Sequence, residues 1–167
     1  IALFLGMGTV LNLVLPFFFA GMRPDILLTM MVLAIILFPE KKHVLLIGLA
    51  TGLLSGIIST FPGGFVPNII DKFIMAYVTF ALFLALRKVA KPVINAAVIT
   101  ALATVVSGTV FLGSALIIVS LPAPFAALFV TVVLPAIALN TILMVIIYPI
   151  VQSVLKRSNF EPLEKAV

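Results

Sequence analysis

The sequence predicts an all-α membrane protein of six transmembrane helices with both chain ends in the cytoplasm. Its composition, its apolar runs and the positions of its basic residues all support this prediction. Of the 167 residues, 64% are hydrophobic and 9% are charged, and the mean hydropathy is +1.42. A soluble domain is about 45–50% apolar and about 25% charged, so water is not the main solvent of this chain.

Apolar runs separated by Pro and Gly define the predicted helices, because Pro lacks an amide donor and Gly loosens the backbone. We place the helices at residues 1–19, 25–38, 44–60, 68–86, 93–119 and 125–156. A span needs about 20 residues, so the chain forms one membrane domain, residues 1–167. The second run covers about 21 Å of a hydrocarbon core of about 30 Å. It must start earlier, thin the bilayer, or be shielded by neighbouring helices.

The basic residues lie at every second connection and in the C-terminal tail. Eight of the ten Lys and Arg residues do so: Lys41, Lys42, Arg87, Lys88, Lys91, Lys156, Arg157 and Lys165. The alternate connections carry only Arg23. Because Lys and Arg are retained on the cytoplasmic side, the basic connections and both chain ends are predicted to be cytoplasmic, in a multi-pass protein of the cell membrane.

The sequence lacks the residues that several classes of function require. His43 lies in a basic connection, far in depth from any serine of the opposite side, so no catalytic dyad is formed and we predict no enzyme. No Gly-rich phosphate loop is present, so any ATP must be hydrolysed by partners. The chain has no Cys, we predict no cofactor and no metal ion, and basic clusters without aromatic residues do not indicate nucleic acid. Ile1 in place of Met predicts that residues precede it.

A polar loop, residues 59–68, leads into Asp71 and Lys72 near the predicted outer face. Ionisable groups at membrane depth usually mark a ligand or a pathway. The alternative to a ligand site is a helix start, because Asn68 followed three residues later by Asp71 is typical of an N-cap. Lys72 is unexplained by that alternative: a cation at a helix start opposes the dipole, so we expect an anionic partner for it.

Other candidate binding residues are equally open to two interpretations. Arg23 and Asp25 could bind a ligand or begin a helix, and Asn140, near the bilayer midplane, could bind a ligand or join helices. Aromatic and thioether side chains could line a slot for a flat ring or face lipid. They are Phe17, Phe18, Phe19, Met22, Met30, Phe61, Phe65 and Tyr77.

Small residues recur at helical spacing and predict close helix contacts. Gly48, Gly52 and Gly56 follow one another at intervals of four, and helix 5 carries a similar stripe at residues 100, 104 and 108. Both stripes favour packing within the bundle. Ala2 and Gly6 form a similar pair on helix 1, which could face another protein as readily as its own bundle.

Several short motifs together resemble one family of transporters. They include Gly21-Met22-Arg23-Pro24-Asp25, Phe61-Pro62-Gly63-Gly64, Pro67-Asn68-Ile69-Ile70-Asp71-Lys72 and Leu139-Asn140-Thr141. In these motifs the chain resembles the TrpP-type tryptophan transporters, which are substrate-binding S-components of energy-coupling factor (ECF) transporters. The resemblance covers essentially the whole chain. It implies a six-helix S-component-like bundle with a pocket near the outer face.

The same resemblance implies partners and a substrate. The partners are a membrane coupling subunit, which would meet Ala2 and Gly6, and two ATP-hydrolysing subunits. The substrate would be tryptophan or a similar small nutrient. Arg23 or Lys72 would then suit its carboxylate, Asp71 or Asp25 its ammonium, and the aromatic and thioether group its ring.

Two alternatives remain open at this point. Membrane scaffold proteins of the MreD type have similar length and helix number and an Arg-Pro-Asp-like stretch, but they need no polar loop like residues 60–72. An ion-coupled secondary transporter is the other alternative, which the lack of carboxylates deep in the bilayer disfavours.

Overall fold

The computed structural model is an all-α bundle in the parts of the chain that it describes, residues 1–14 and 25–157. Its helices are α1 (Ala2–Val14), α2 (Ile26–Leu37), α3 (Lys41–Ile57), α4 (Phe65–Leu86), α5 (Pro92–Ile118) and α6 (Phe125–Arg157). The predicted fold class, an all-α membrane bundle of six helices, is confirmed. Helices α4, α5 and α6 are each long and apolar enough to cross a membrane.

Two helices begin three residues earlier than predicted. Helix α4 begins at Phe65, with Pro67 inside its first turn. Proline is tolerated there because the first amides of a helix have no intrahelical acceptor. Helix α3 begins at Lys41 rather than at residue 44, so charged residues form its first turn. The last residues of the predicted first helix, 15–19, lie outside the described part of the chain.

Helix α2 is the centre of the bundle. All twelve of its residues are buried, and it contacts α1, α3, α4, α5 and α6. Its length of about 18 Å is too short for a hydrocarbon core of about 30 Å. Of the three solutions predicted for this short run, the structure therefore uses shielding by the neighbouring helices.

A seam of glycines joins α3 to α4, as the stripe on α3 predicted. A Cβ atom added at Gly48 would lie 2.7 Å from the Ala76 Cβ, and one at Gly56 would lie 2.8 Å from the Phe65 ring. The pairing runs antiparallel, since the residue number falls along α4 as it rises along α3. Helix backbones can approach this closely only where no side chain separates them, and the contact is then mostly van der Waals.

Helix α6 contains one π-helical turn, Phe129–Val133. The amide of Leu134 donates to the carbonyl oxygen of Phe129, five residues earlier. Pro135 follows directly; it has no amide hydrogen and its ring crowds the preceding turn, and a wider turn accommodates it. A Cβ atom at Gly108 would lie 2.5 Å from a methyl group of Val133, so α5 approaches α6 closely at this turn.

Replacing Gly48 by Ala should destabilise the fold, because the new methyl group would overlap Ala76. Overpacking of this kind lowers the free energy of unfolding by about 1–3 kcal/mol. Gly113→Ala in α5 is the matched control, since no described atom lies within 4 Å of a Cβ at that position. Thermal unfolding in detergent should show a lower Tm for Gly48→Ala only; equal Tm values would contradict the close α3–α4 seam.

The predicted sidedness can be tested with single cysteines, since the chain has none of its own. Cysteines at Lys42 and Lys88 should react only with reagent supplied from the cytoplasm, and cysteines at Pro62 and Ala123 only with reagent supplied from outside. Pro62 is an exposed loop position, whereas neighbouring Gly64 has no room for a side chain. Labelling of Lys88→Cys from outside would invert the assignment.

Candidate functional site

A cavity lies among the ends of the helices that face away from the Lys- and Arg-rich connections. Its volume is about 160 Å³, more than ten times the roughly 10–15 Å³ that one water molecule needs by the same measure. All six helices or their caps contribute to its wall. The polar side chains of the wall are Asn12, Asp25, Ser55, Ser59, Thr60, Asn68, Asp71, Lys72, Thr104, Ser107 and Asn140.

A buried ion cluster occupies one wall of the cavity. The Lys72 ammonium lies between two carboxylates: it contacts Asp25 Oδ2 and donates to Asp71 Oδ2 at 2.7 Å. It also donates to Ser107 Oγ at 3.4 Å, and that hydroxyl donates to Asp71 Oδ2 at 2.8 Å. Lys72 is 1% exposed. Lys72 therefore has the anionic partner that the sequence predicts, and it has two of them, Asp25 and Asp71.

The cluster holds more acidic than basic side chains. Counted formally as ionised groups, its two carboxylates and one ammonium sum to one negative charge among the described residues, since −1 −1 +1 is −1. The second carboxylate oxygen of Asp71, Oδ1, is buried and has no hydrogen-bond partner in the described part of the chain. All three Nζ hydrogens of Lys72 already have acceptors. Among the described residues, the unused hydrogen-bonding atom of the cluster is therefore an acceptor, Asp71 Oδ1.

Asp25 holds the cluster to the start of α2. It is the N-cap of that helix, and its Oδ1 accepts a hydrogen bond from the Leu28 amide at 3.0 Å. Its other oxygen contacts Lys72. The interpretation of Asp25 as a helix start is therefore confirmed, and its role in binding a ligand stays a prediction.

The interpretation of Asn68 as an N-cap is wrong. Because α4 begins at Phe65, Asn68 lies inside the helix, and Gly64 is the cap residue. The Asn68 side chain instead donates to the Gly64 carbonyl at 2.7 Å and to Ser59 Oγ at 3.2 Å. It thereby ties the loop between α3 and α4 to the cavity, where the buried Phe61 ring packs edge-on against Phe111 at 5.4 Å between centroids.

A second polar group in the wall joins α5 and α6. Asn140 is fully buried, and its amide nitrogen donates to Thr104 Oγ1 at 3.2 Å. This contact is the interhelical role that the sequence allows for Asn140. Its amide oxygen has no partner among the described residues. Asn140 thus joins two helices and is one of the residues that line the cavity.

The predicted site residues fall into three groups: those that line the cavity, those that lie elsewhere, and those outside the described part of the chain. Asp25, Phe61, Asn68, Asp71, Lys72 and Asn140 all line the cavity. The structure does not bring Met30 there, because it packs in the core, nor Tyr77, which is 41% exposed with its ring against Phe73. Phe65 is also exposed outside the cavity. Arg23, Met22 and Phe17 to Phe19 lie outside the described residues.

Several wall residues were missed by the sequence interpretation. Thr104 was assigned to a packing stripe on α5, yet it lines the cavity, as do Ser55 of α3 and Ser107 of α5. The available signal was the polar spacing on α5, where Thr104 and Ser107 lie three residues apart and so share a face. A small polar residue in a membrane helix suits packing and ligand binding equally, so that signal alone does not decide.

Ala2 and Gly6 lie on the outer side of α1. Both are exposed, and no described atom lies within 4 Å of a Cβ added at Gly6. Gly8, two residues on, faces inward, where its Cβ would lie 3.0 Å from Leu27 and Met30. The pair singled out in the sequence is thus not used for packing among the described residues.

Comparison with known proteins identifies the relatives of the chain. A protein of Bacillus subtilis described as a probable tryptophan transport protein is 54% identical over 159 residues, which cover 95% of this chain and 92% of the relative. A Clostridium acetobutylicum protein with the same description is 45% identical over 150 residues, which cover 88% and 86%. No solved structure matches the chain.

The family comparison covers almost the entire chain. The family described as tryptophan transporter TrpP matches residues 1–156, which include every described helix except the last residue of α6. Both the family and the named relatives point to a transport protein rather than an enzyme. The resemblance inferred from the motifs is therefore confirmed, and the chain belongs to the TrpP family of tryptophan transporters.

Proposed function

We propose that the chain is the substrate-binding S-component of an ECF transporter in the cell membrane, and that it binds tryptophan in the cavity beside Lys72. The observation that carries the proposal is the cavity lined by Asp71, whose buried Oδ1 has no partner among the described residues, in a chain of the TrpP family. A cavity with a few convergent polar groups in an apolar wall is the usual form of a small-molecule site. A membrane scaffold needs no such cavity.

The substrate ammonium binds Asp71 in this proposal. An ammonium group offers three hydrogens and a positive charge, which match the free Oδ1 and the negative charge of the cluster. Lys72 holds Asp71 in place from the other side through Oδ2. Its role is therefore positioning, since its own hydrogens are already taken up within the cluster.

The substrate carboxylate is then left to another cation. Arg23 is two residues before Asp25, whose carboxylate lines the cavity, and it remains the predicted partner of the carboxylate. The indole ring would lie against the apolar part of the wall. That part consists of Leu28, Ile58, Phe61, Phe111, Leu112, Val132, Val133 and Ala136.

Energy for uptake comes from partners in this proposal. The sequence has no ATP-binding loop, so a membrane coupling subunit and two ATP-hydrolysing subunits would drive transport. The exposed Ala2 and Gly6 on α1 offer the coupling subunit a surface that another helix can approach closely.

An ion-coupled secondary transporter is the second candidate, favoured by the second carboxylate of the cluster, which could hold a coupling cation. Binding of labelled tryptophan by the purified chain without ATP is expected of either candidate. Uptake in cells distinguishes them, because uptake through an S-component requires active ATPase subunits. Uptake that continues after those subunits are removed would overturn the S-component proposal.

Asp71→Asn should weaken tryptophan binding roughly ten- to a hundredfold, because it removes a charge-assisted contact that contributes about 1.5–3 kcal/mol. Equilibrium binding to the purified chain measures this loss. Indolepropionate, which lacks the ammonium, should bind the parent more weakly than tryptophan does, and this preference should disappear in Asp71→Asn. Glu40→Gln is the control, because it neutralises an exposed carboxylate outside the cavity. A preference for tryptophan that survives Asp71→Asn would exclude Asp71 as the ammonium site.

Gly6→Leu should reduce uptake of labelled tryptophan by about tenfold, equivalent to about 1.4 kcal/mol of lost helix contact, while binding by the isolated chain is unchanged. The side chain would project from the open face of α1 into the partner helix. Gly8→Leu is the matched comparison: it would collide with α2 and should impair folding and binding together. Normal uptake by Gly6→Leu would show that this face contacts no partner.

A further inference from the structure

We propose that the amide oxygen of Asn140 accepts a hydrogen bond from the indole N–H of bound tryptophan, and that this contact selects tryptophan over amino acids without a ring donor. The inference rests on the proposed function, since it assigns the second polar contact of the same cavity. It concerns how the site distinguishes an indole from a phenyl ring.

The orientation of the Asn140 amide follows from a chain of hydrogen bonds on α5. The Thr104 hydroxyl donates its one hydrogen to the Thr100 carbonyl at 2.8 Å. It can therefore only accept at Asn140, and the group that donates to it must be the amide nitrogen, at 3.2 Å. A flipped amide would face oxygen against oxygen. The hydroxyl of Thr100 donates in the same way to the Ala96 carbonyl at 2.8 Å, so the two threonine hydroxyls donate in the same direction along α5.

This orientation leaves an acceptor without a donor. Asn140 is 0% exposed and lines the cavity, and its Oδ1 has no hydrogen-bond partner in residues 1–14 and 25–157. Buried polar groups are almost always hydrogen-bonded, and each exception needs an explanation. A ligand that brings one neutral donor would supply the missing partner. The indole N–H is such a group, because it donates and cannot accept.

The contacts that Asp71 and Asn140 make with α5 lie at different depths along that helix. Ser107 contacts Asp71 and Thr104 contacts Asn140, so the two contacts are separated by three residues, or about 4.5 Å along the helix axis. Asp71 is the one nearer the loop of residues 59–64, since it lies in the second turn of α4. One molecule with an ammonium group near the loop and a ring donor deeper in the bundle can satisfy both.

A site built around a hydrogen bond rejects analogues that lack the donor more strongly than an apolar pocket rejects a change of shape. Phenylalanine has no ring donor, so its binding would leave the Asn140 oxygen buried and unpaired. The Asn140 contact is therefore the source of specificity, whereas the Asp71 contact is common to every amino acid.

The experiment compares tryptophan with its benzothiophene analogue, in which sulfur replaces the indole N–H at nearly the same shape. Equilibrium binding to the purified full chain should be at least about tenfold tighter for tryptophan. In Asn140→Leu that ratio should fall to about one, because neither ligand then has an acceptor to use. Thr141→Val is the control: it removes a neighbouring hydroxyl on α6 that donates to Ile137 and lies outside the cavity, and the ratio should be unchanged.

A second variant covers the case in which Asn140→Leu does not fold. Thr104→Val keeps the shape but removes the acceptor that orients the amide, so the ratio should also fall there. Equal binding of both ligands by the parent, or an unchanged ratio in Asn140→Leu or Thr104→Val, would overturn the inference and leave the proposed function intact. Absence of any tryptophan binding by the parent would overturn both.

Discussion

The buried Lys72 ammonium is the constraint on which the rest of this structure depends. A cation in an apolar interior is stable only if its charge is balanced and its hydrogens are bonded. Asp25 and Asp71 provide the balance, and through them the charge joins the start of α2 to α4. Removing one partner from a buried ion pair costs about 3–5 kcal/mol, because an uncompensated charge remains. The start of α2 and helix α4 must therefore assemble together.

The position of the cavity follows from this constraint. Two carboxylates contact Lys72, and among the described residues Asp71 Oδ1 is left as an acceptor without a donor. Close packing encloses it: the Gly52 backbone lies near Ile69 and the Lys72 Cβ, and α5 meets the π-helical turn of α6 at Gly108. The helices meet closely at the glycines, and the short polar side chains between them do not fill the cavity.

Much of this arrangement could be predicted from individual residues. The need of Lys72 for an anionic partner follows from its place near a helix start, and the α3 seam follows from the spacing of its glycines. Asn68 was misinterpreted because an N-cap and a side chain that returns to the preceding loop have the same sequence pattern. Tyr77 and Met30 suit a ring slot by chemistry, but the helix face that each occupies directs one outward and the other into the core.

The sequence by itself determined the class of the protein, its helices and its family. Composition, apolar run length and motifs are local properties of the chain, and they do not depend on how the helices meet. Only the tertiary structure decided which helix is central and which oxygens are left without partners. Helix α2 is apolar all round, so its sequence shows no preferred face, and only contact with its neighbours makes it the core. Ser107 and Thr104, distant in sequence, bond one polar atom each of Asp71 and Asn140, whose other oxygens have no partner among the described residues.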